Sequence, residues 1–359
     1  MVLIIKIIKN KIIKKILAFA AVFLLLEKSC AYCEEPVVNI SAQSAVVMWN
    51  GEIIYEKQPG IKLPVASTTK LMTALIAAER CNMGERIEVV EEDCRIEGST
   101  MYLRPGETVT AEELLEGLLL ESGNDAAASL ARYIAGDILS FVQLMNERAS
   151  ELSMTSTHFC NPHGLPADGH YSTAEDMALL MQECLKNETV RNIMAMKSCA
   201  VNGRTLINHN KLLYKCKGCT GGKTGYTEAA GRCLVSSCKR NGAELVCVTL
   251  NAPDDWNDHI YLYDRAFSEY SIRNVTEGMR FSVPVIGGKE KWAHLVPETE
   301  AEVFVSKKSQ VAVTAKLPWF TFAPVESGEA AGKAIITVDG KYRGEYPLIC
   351  SEDIESDNS

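Results

Sequence analysis

The chain has 359 residues, with 46 acidic against 37 basic side chains and a formal net charge of −9. An acidic balance argues against nucleic acid as a partner. The length exceeds one typical domain, so a large domain with a smaller appendage is expected.

Residues 1–31 read as an export signal: Lys6, Lys9, Lys11, Lys14 and Lys15 precede an apolar run at 16–26, and small residues follow at Ser29 and Ala31. That run of 11 residues falls short of the ~20 a spanning helix needs, which predicts cleavage after Ala31. An uncleaved N-terminal anchor is the alternative, because residues 2–13 are also rich in isoleucine. Cleavage removes six lysines and one glutamate, leaving 328 residues at about −14. No later stretch is apolar enough to span a membrane.

Residues 45–49 and 53–56 flank Asn50-Gly51, a strong short hairpin signal. A helix is predicted over 67–80, with Leu71, Ala74, Leu75 and Ala78 at helical spacing and Pro64 just ahead. From 110 to about 185 the pattern is helical almost throughout, with loops at 122–124 and 161–166. Thr173 and Asp176 resemble a capping box for the last of these helices. Strands return after Gly221; 232–237 and 243–250 flank Asn241-Gly242, a second hairpin, and a helix follows over 255–268. Strands early and late with helices between predict an α+β domain whose sheet is completed by both ends of the sequence. Past about 275 the segments 281–285, 302–305, 310–313 and 334–338 alternate between turns, which predicts a small all-β domain.

Thirteen cysteines in an exported chain suggest disulfides. Yet Cys184 and Cys247 occupy positions that a small apolar residue would fill, so buried free thiols are expected. Cys216-Lys217-Gly218-Cys219 is open to reading as a redox pair or half a zinc site, although no second pair at ligand spacing accompanies it.

Three strings carry chemistry: Ser67-Thr68-Thr69-Lys70, Ser122-Gly123-Asn124 and Lys223-Thr224-Gly225. A serine hydroxyl needs a base within hydrogen-bond reach, and residues three apart on a helix share a face. Lys70 can act only when neutral, and burial, the helix N-terminus or a second cation such as Lys223 would lower its pKa. The second string is a tight loop between two apolar helices, able to hold a hydroxyl and a carboxamide at a cleft edge. In the third, Gly221, Gly222 and Gly225 would let a substrate backbone approach. Singly, each is equally a helix start, a turn and an edge strand.

The conjunction is another matter, since such a set marks penicillin-binding proteins and class A β-lactamases. Its separations, 55 residues from Ser67 to Ser122 and 99 from Asn124 to Lys223, resemble those of the low-molecular-mass penicillin-binding proteins, the serine-type D-Ala-D-Ala carboxypeptidases of peptidase family S11. Residues 64–73, 161–166, 169–173 and 208–213 are similar to that family too, and the resemblance covers about 38–350. It implies an α+β fold: a β-lactamase/transpeptidase-like domain with a five-stranded antiparallel sheet and a helical subdomain, then a small all-β domain. The corresponding divisions are a signal at 1–31, a catalytic domain at 38–272, a β-sandwich-like domain at 276–350 and an acidic tail at 351–359.

On these residues the resemblance implies that Ser67 attacks the penultimate D-alanine carbonyl of a peptidoglycan stem pentapeptide, forming an acyl-enzyme. Lys70 would take the serine proton and Ser122 relay one to the leaving amine. Asn124 would hold the substrate amide and position Lys70; Lys223 and Thr224, with Gly225 beside them, would receive the terminal carboxylate. The backbone N–H groups of Ser67 and Tyr226 would form the oxyanion hole. Water would hydrolyse the ester, and β-lactams would acylate Ser67 and leave slowly. No metal or cofactor is implied.

Some features depart from the family. Tyr226 stands where some relatives have histidine, and residues 254–259 offer no arginine for the terminal carboxylate. The end of the chain is acidic where many relatives have an amphipathic helix, which leaves membrane-surface association open. His163, His170 and His209 invite a Ser-His-Asp reading, but Ser67 already has Lys70; they are read as structural, with Asp168 and Asp176 as loop and cap. A class A β-lactamase would need a loop glutamate that 161–165 does not offer, and its middle string usually has aspartate in place of Gly123. A catalytically silent peptidoglycan- or penicillin-binding protein is the other alternative.

Overall fold

Asn50 (φ 43°) and Gly51 (φ 81°) both adopt the left-handed backbone that a two-residue hairpin loop requires, and they join β1 (Ser44–Trp49) to β2 (Glu52–Lys57). A computed structural model describes residues 39–357; the export segment, Cys30, Cys33 and the last two residues lie outside the described residues. Two short strand pairs come next in the chain, β3 (Arg86–Glu88) with β4 (Thr108–Thr110) and β5 (Ser198–Val201) with β6 (Arg204–Ile207). The main sheet is completed by β7 (Cys219–Thr227), β8 (Gly231–Arg240) and β9 (Ala243–Leu250), in the order β2-β1-β9-β8-β7, all antiparallel. Early and late segments meet at its centre, as the sequence predicted, and β7 is an edge.

Eight helices of the described chain are α1 (Lys70–Arg80), α2 (Ala111–Leu120), α3 (Asn124–Ala135), α4 (Ile138–Glu151), α5 (Ala174–Lys186), α6 (Glu188–Ala195), α7 (Leu212–Lys215) and α8 (Asp255–Glu269). α1 packs among α2, α3, α4 and α5, and α5 in turn lies on the sheet, while α8 packs on β8 and β9. Leu71, Met72, Leu75, Leu115, Leu118 and Met177 belong to the resulting core and are buried almost completely. Burying such side chains contributes roughly 1.5–3 kcal/mol each. No helix of the described residues is long and apolar enough to cross a membrane.

The region expected to be helical from 110 to 185 is interrupted by more than two turns. Residues 152–173 are a long loop held by isolated pairings, Leu63 with Ser172 and His158 with Tyr171. Side chains satisfy its backbone: Asn146 accepts from the Phe159 N–H at 2.9 Å and donates to the Phe159 carbonyl at 2.9 Å. The expected capping box at Thr173 is half formed. Thr173 Oγ1 accepts from the Asp176 N–H, but the Asp176 carboxylate accepts instead from the Ser156 N–H and the Thr157 hydroxyl. A complete box, Thr110 with Glu113, opens α2.

After α8 the chain is all-β. β10 (Tyr270–Asn274) pairs with β13 (Glu302–Ser306). A six-stranded sheet contains β11 (Phe281–Ile286), β12 (Trp292–Pro297), β14 (Val311–Lys316), β15 (Thr321–Phe322), β16 (Ala330–Val338) and β17 (Lys341–Cys350), ordered β14-β16-β17-β12-β11-β15. Val303 and Val305 of the ribbon share a small core with Ile336 and Val338 of the sheet. Phe304 stacks on Tyr270 (5.6 Å), lies tilted against Trp49 (5.5 Å) and meets Phe267 edge-on (6.4 Å), and Arg343 pairs with Glu52 at 2.6 Å, so this part rests on the first hairpin. Ile354, in the segment read as an acidic tail, is buried.

Candidate active site

Ser67 does not begin the helix, as expected, but lies in a 3-10 turn, Ala66–Thr69, that runs into α1. Ala66 has φ +47°, and Val65 O accepts from both the N–H and the hydroxyl of Thr68. A 3-10 turn places residues i and i+3 nearly in line, and Lys70 Nζ donates to Ser67 Oγ at 3.0 Å. The same Nζ donates to Asn124 Oδ1 and to the His163 carbonyl, both at 2.7 Å. Lys70 is completely buried. Burial, then the charge of Lys223, holds its pKa well below the usual lysine value, with Asp125 partly opposing.

Ser122, at φ +62°, turns the chain between α2 and α3. Its buried hydroxyl makes no hydrogen bond among the described residues. Gly123 is tightly enclosed, since an added Cβ would lie 2.7 Å from Asp125 Oδ1. Asn124 is fixed by its backbone N–H donating to Ser99 O at 2.7 Å and its amide donating to Glu97 O.

On β7, Lys223 is buried, donates to Thr224 O at 3.0 Å, and has its pKa lowered to about 7 by burial. A Cβ on Gly225 would meet Ser67 N at 3.0 Å and Thr68 N at 3.1 Å, so this glycine lets the strand lie against the serine turn. Gly221 and Gly222 serve packing rather than substrate approach: added Cβ atoms would reach Met194 at 2.8 Å and Val235 O at 2.3 Å. The Tyr226 side chain is largely exposed.

Across from Ser67, the loop 161–166 presents backbone to the site. His163 O faces Lys70, Pro162 O accepts from Thr73 Oγ1 at 2.6 Å, and the loop itself carries no carboxylate. Burial pushes His163 down to about 3 and His170 down to about 4, so both are neutral. His170 Nδ1 accepts from the Cys160 N–H at 3.1 Å, which leaves Nε2–H to donate to Thr69 Oγ1 at 2.8 Å. His209 lies beside Glu121, with its backbone N–H donating to Leu120 O at 3.4 Å. None of the three has a hydrogen bond with Ser67 among the described residues. The arrangement is a buried amine in contact with a serine, a second buried cation, and an idle hydroxyl. That is equipment for acyl transfer.

The D-alanyl-D-alanine carboxypeptidase family matches residues 31–254, and the C-terminal domain of penicillin-binding protein 5 matches residues 275–356. The chain belongs to the D-alanyl-D-alanine carboxypeptidase family. Among its relatives, the Bacillus subtilis D-alanyl-D-alanine carboxypeptidase DacF is 32% identical over 337 residues, covering 88% of this chain and 86% of its own. The Escherichia coli carboxypeptidase DacC is 30% identical, covering 94% and 91%. Penicillin-binding protein 5 from Haemophilus influenzae has a similar crystal structure, with TM-score 0.73 at 26% identity over 89% of this chain and 99% of that one. The present chain is accordingly a serine-type carboxypeptidase with a catalytic α+β domain and an all-β domain behind it.

Two features of the carboxypeptidase escaped the sequence reading. Asp125 is buried and accepts from the Met101 and Leu103 N–H groups, the Ala126 N–H and the Thr100 hydroxyl, pinning 100–103 against the start of α3. It follows Asn124 directly, and an acid in the first turn of a buried helix was the available signal. Arg232, register partner of Tyr226, donates from Nε and Nη2 to Asp255 at 2.8–3.0 Å and covers the Trp256 ring at 5.4 Å. Its Nη1 makes no hydrogen bond among the described residues. Only the pairing of β7 with β8 brings it near the third string.

Proposed function

We propose that the carboxypeptidase removes the terminal D-alanine from peptidoglycan stem pentapeptides through an acyl-Ser67 intermediate. The observation that carries this is the contact of the buried Lys70 amine with Ser67 Oγ at 3.0 Å beside buried Lys223. Neutral Lys70 accepts the hydroxyl proton as Ser67 Oγ bonds to the penultimate carbonyl carbon. The ammonium so formed keeps Asn124 Oδ1 and His163 O as acceptors, which offsets the cost of charging a buried amine. Backbone N–H groups of Ser67 and Tyr226 receive the oxyanion. Ser122, whose hydroxyl has no competing partner, passes a proton to the leaving D-alanine amine. The Lys70 ammonium restores the Ser122 proton and is neutral again; water then attacks the ester, Lys70 taking its proton and passing it to Ser67 Oγ as the ester bond breaks, and the shortened peptide departs.

Lys223 and Thr224 receive the terminal carboxylate, with Gly225 holding the strand close to Ser67 and Asn124 contacting the substrate amide. Arg232 takes the place of the arginine that 254–259 lacks, offering Nη1 to the same carboxylate while Asp255 holds its other edge. A β-lactam, which resembles the dipeptide, acylates Ser67 and is released slowly. The chain acts outside the cytoplasm after export by residues 1–31, and divides into a catalytic domain at 38–272 and a β domain at 276–350.

Fluorescent penicillin should label the wild type and not Ser67→Ala, and D-alanine should be released from a pentapeptide. A wild type that labels but releases no D-alanine from any stem peptide defeats the carboxypeptidase mechanism. Rapid turnover of benzylpenicillin would favour the lactamase reading.

A further inference from the structure

The Cys216–Cys219 spacing suggested a local pair, but the fold gives Cys216 another sulfur. Cys216 and Cys238 gather at one carbonyl: Lys217 O lies 3.9 Å from Cys216 Sγ and accepts from Cys238 Sγ at 3.4 Å. Cys219, the register partner of Cys238, turns its Sγ toward Gly221 O at 3.8 Å. Gly218 makes the approach possible: at φ +87°, an added Cβ there would lie 2.5 Å from Lys239 O and 3.4 Å from Cys238 Sγ. The turn is secured by Lys239 N–H donating to Gly218 O at 2.8 Å.

Arg240 completes the cluster. Its Nη2 donates to Cys216 Sγ at 3.4 Å and its Nε to Lys217 O at 2.8 Å, while Nη1 pairs with Asp264 at 2.6 Å and the guanidinium covers Phe267. A guanidinium held against one sulfur of a close pair favours thiolate there and leaves the other as thiol donor. Consistent with this, the neighbouring Cys238 thiol and Arg240 lower Cys216 to about 7 against the opposing effects of burial and Asp264, while Cys238 is raised. The other described cysteines outside this pair whose thiols are shifted all move upward. All eleven described cysteines are free.

We propose that Cys216 and Cys238 form a thiol–disulfide exchange site for low-molecular-mass disulfides, with Cys216 attacking and Cys238 resolving. Cys216 thiolate attacks one sulfur of the small disulfide, expelling one thiolate. Cys238 then loses its proton and attacks the Cys216 sulfur of the mixed disulfide, expelling the second. The protein loses two protons and two electrons, which the small disulfide takes up to become two thiols. The new bond ties the turn that feeds β7 to β8, behind the strand that carries Lys223 and Thr224. Cys216 is only 6% exposed, which restricts the site to small reagents.

The test treats the reduced full-length protein with oxidised glutathione at neutral pH and maps the products by mass spectrometry. A Cys216–Cys238 crosslink is expected, appearing about tenfold faster than modification of any other thiol. Cys238→Ser should stop at a glutathione adduct on Cys216, and Cys216→Ser should leave Cys238 unmodified; penicillin labelling checks that both variants fold. Wild-type mapping alone decides the matter if either does not. The proposal is overturned by a Cys219–Cys238 crosslink, by first reaction at another cysteine, or by no reaction of the wild type.

Discussion

Replacing Gly164 by alanine tests whether the serine turn is held in place from across the site. Gly164 has φ +86°, and its added Cβ would lie 1.9 Å from Ala66 O, 2.4 Å from Ala66 C and 2.9 Å from Thr69 Oγ1. Ordinary contact begins at 3.4 Å, so the loop and the turn must separate by about 1.5 Å, the shortfall at Ala66 O, at two residues on either side of Ser67 and next to the carbonyl that accepts from Lys70. Left-handed backbone costs an alanine roughly 1–2 kcal/mol and overpacking roughly 1–3 kcal/mol. Together these predict a loss of about 2–5 kcal/mol, or a Tm lower by about 5–15 °C. A misplacement of about 1 Å costs on the order of 100-fold in rate, so penicillin acylation measured by stopped flow should slow by about that factor. Gly51→Ala supplies the control. At φ +81° with nothing within 4 Å of the added atom, it should lose only the backbone portion of stability and acylate normally. A Gly164→Ala variant that acylates at the wild-type rate, or a Gly51→Ala variant that slows equally, refutes the reasoning.

Three further outcomes follow from named side chains. Burial puts Lys223 at about 7 against 10.5 for an exposed lysine; between those values the unfolded chain binds the extra proton, so stability rises with pH. Urea midpoints should therefore climb from pH 7 to 8.5 in the wild type, and the climb should flatten in Lys223→Met; parallel slopes would contradict this. Asp125→Asn places an amide where Leu103 N–H and the Thr100 hydroxyl expect an acceptor, costing about 3 kcal/mol, and a urea-derived loss below about 1 kcal/mol would dismiss Asp125 as the pin of 100–103. Arg232→Gln should raise KM for a D-Ala-D-Ala peptide by roughly tenfold or more while sparing a thiolester whose leaving group has no carboxylate. Equal effects on both substrates would remove Arg232 from carboxylate binding.

What sequence pattern could reach, and what it could not, divides along physical lines. The hairpin at Asn50-Gly51 and the strands around Asn241-Gly242 were legible because turn chemistry and alternation agree locally. The contact of Ser67 with Lys70 was also legible, although the turn that makes it is 3-10 and depends on Ala66 at positive φ, which Gly164 and Gly225 impose from distant segments. Of loop 152–173 only 161–166 was legible, because its backbone hydrogen bonds go to Asn146 and to isolated pairings, which leave no periodic trace. β12 and β17 went unseen: each contains a proline and charged or polar residues on an exposed face. Arg232 came to lie opposite Tyr226, and Cys238 opposite Cys219, only through the β7–β8 register.

The pairing of β1 with β9 has a consequence for how the molecule comes into being. Val47 faces Cys247, some two hundred residues later, and β9 is the strand on which β8 and then β7 are laid. Closing so long a loop is slow compared with forming the helices between. The support behind Lys223 and Gly225 is therefore absent until nearly the whole catalytic sequence has been made. A growing chain should stay blind to penicillin until β9 has found β1, and covalent capture of the drug would then time the moment of closure.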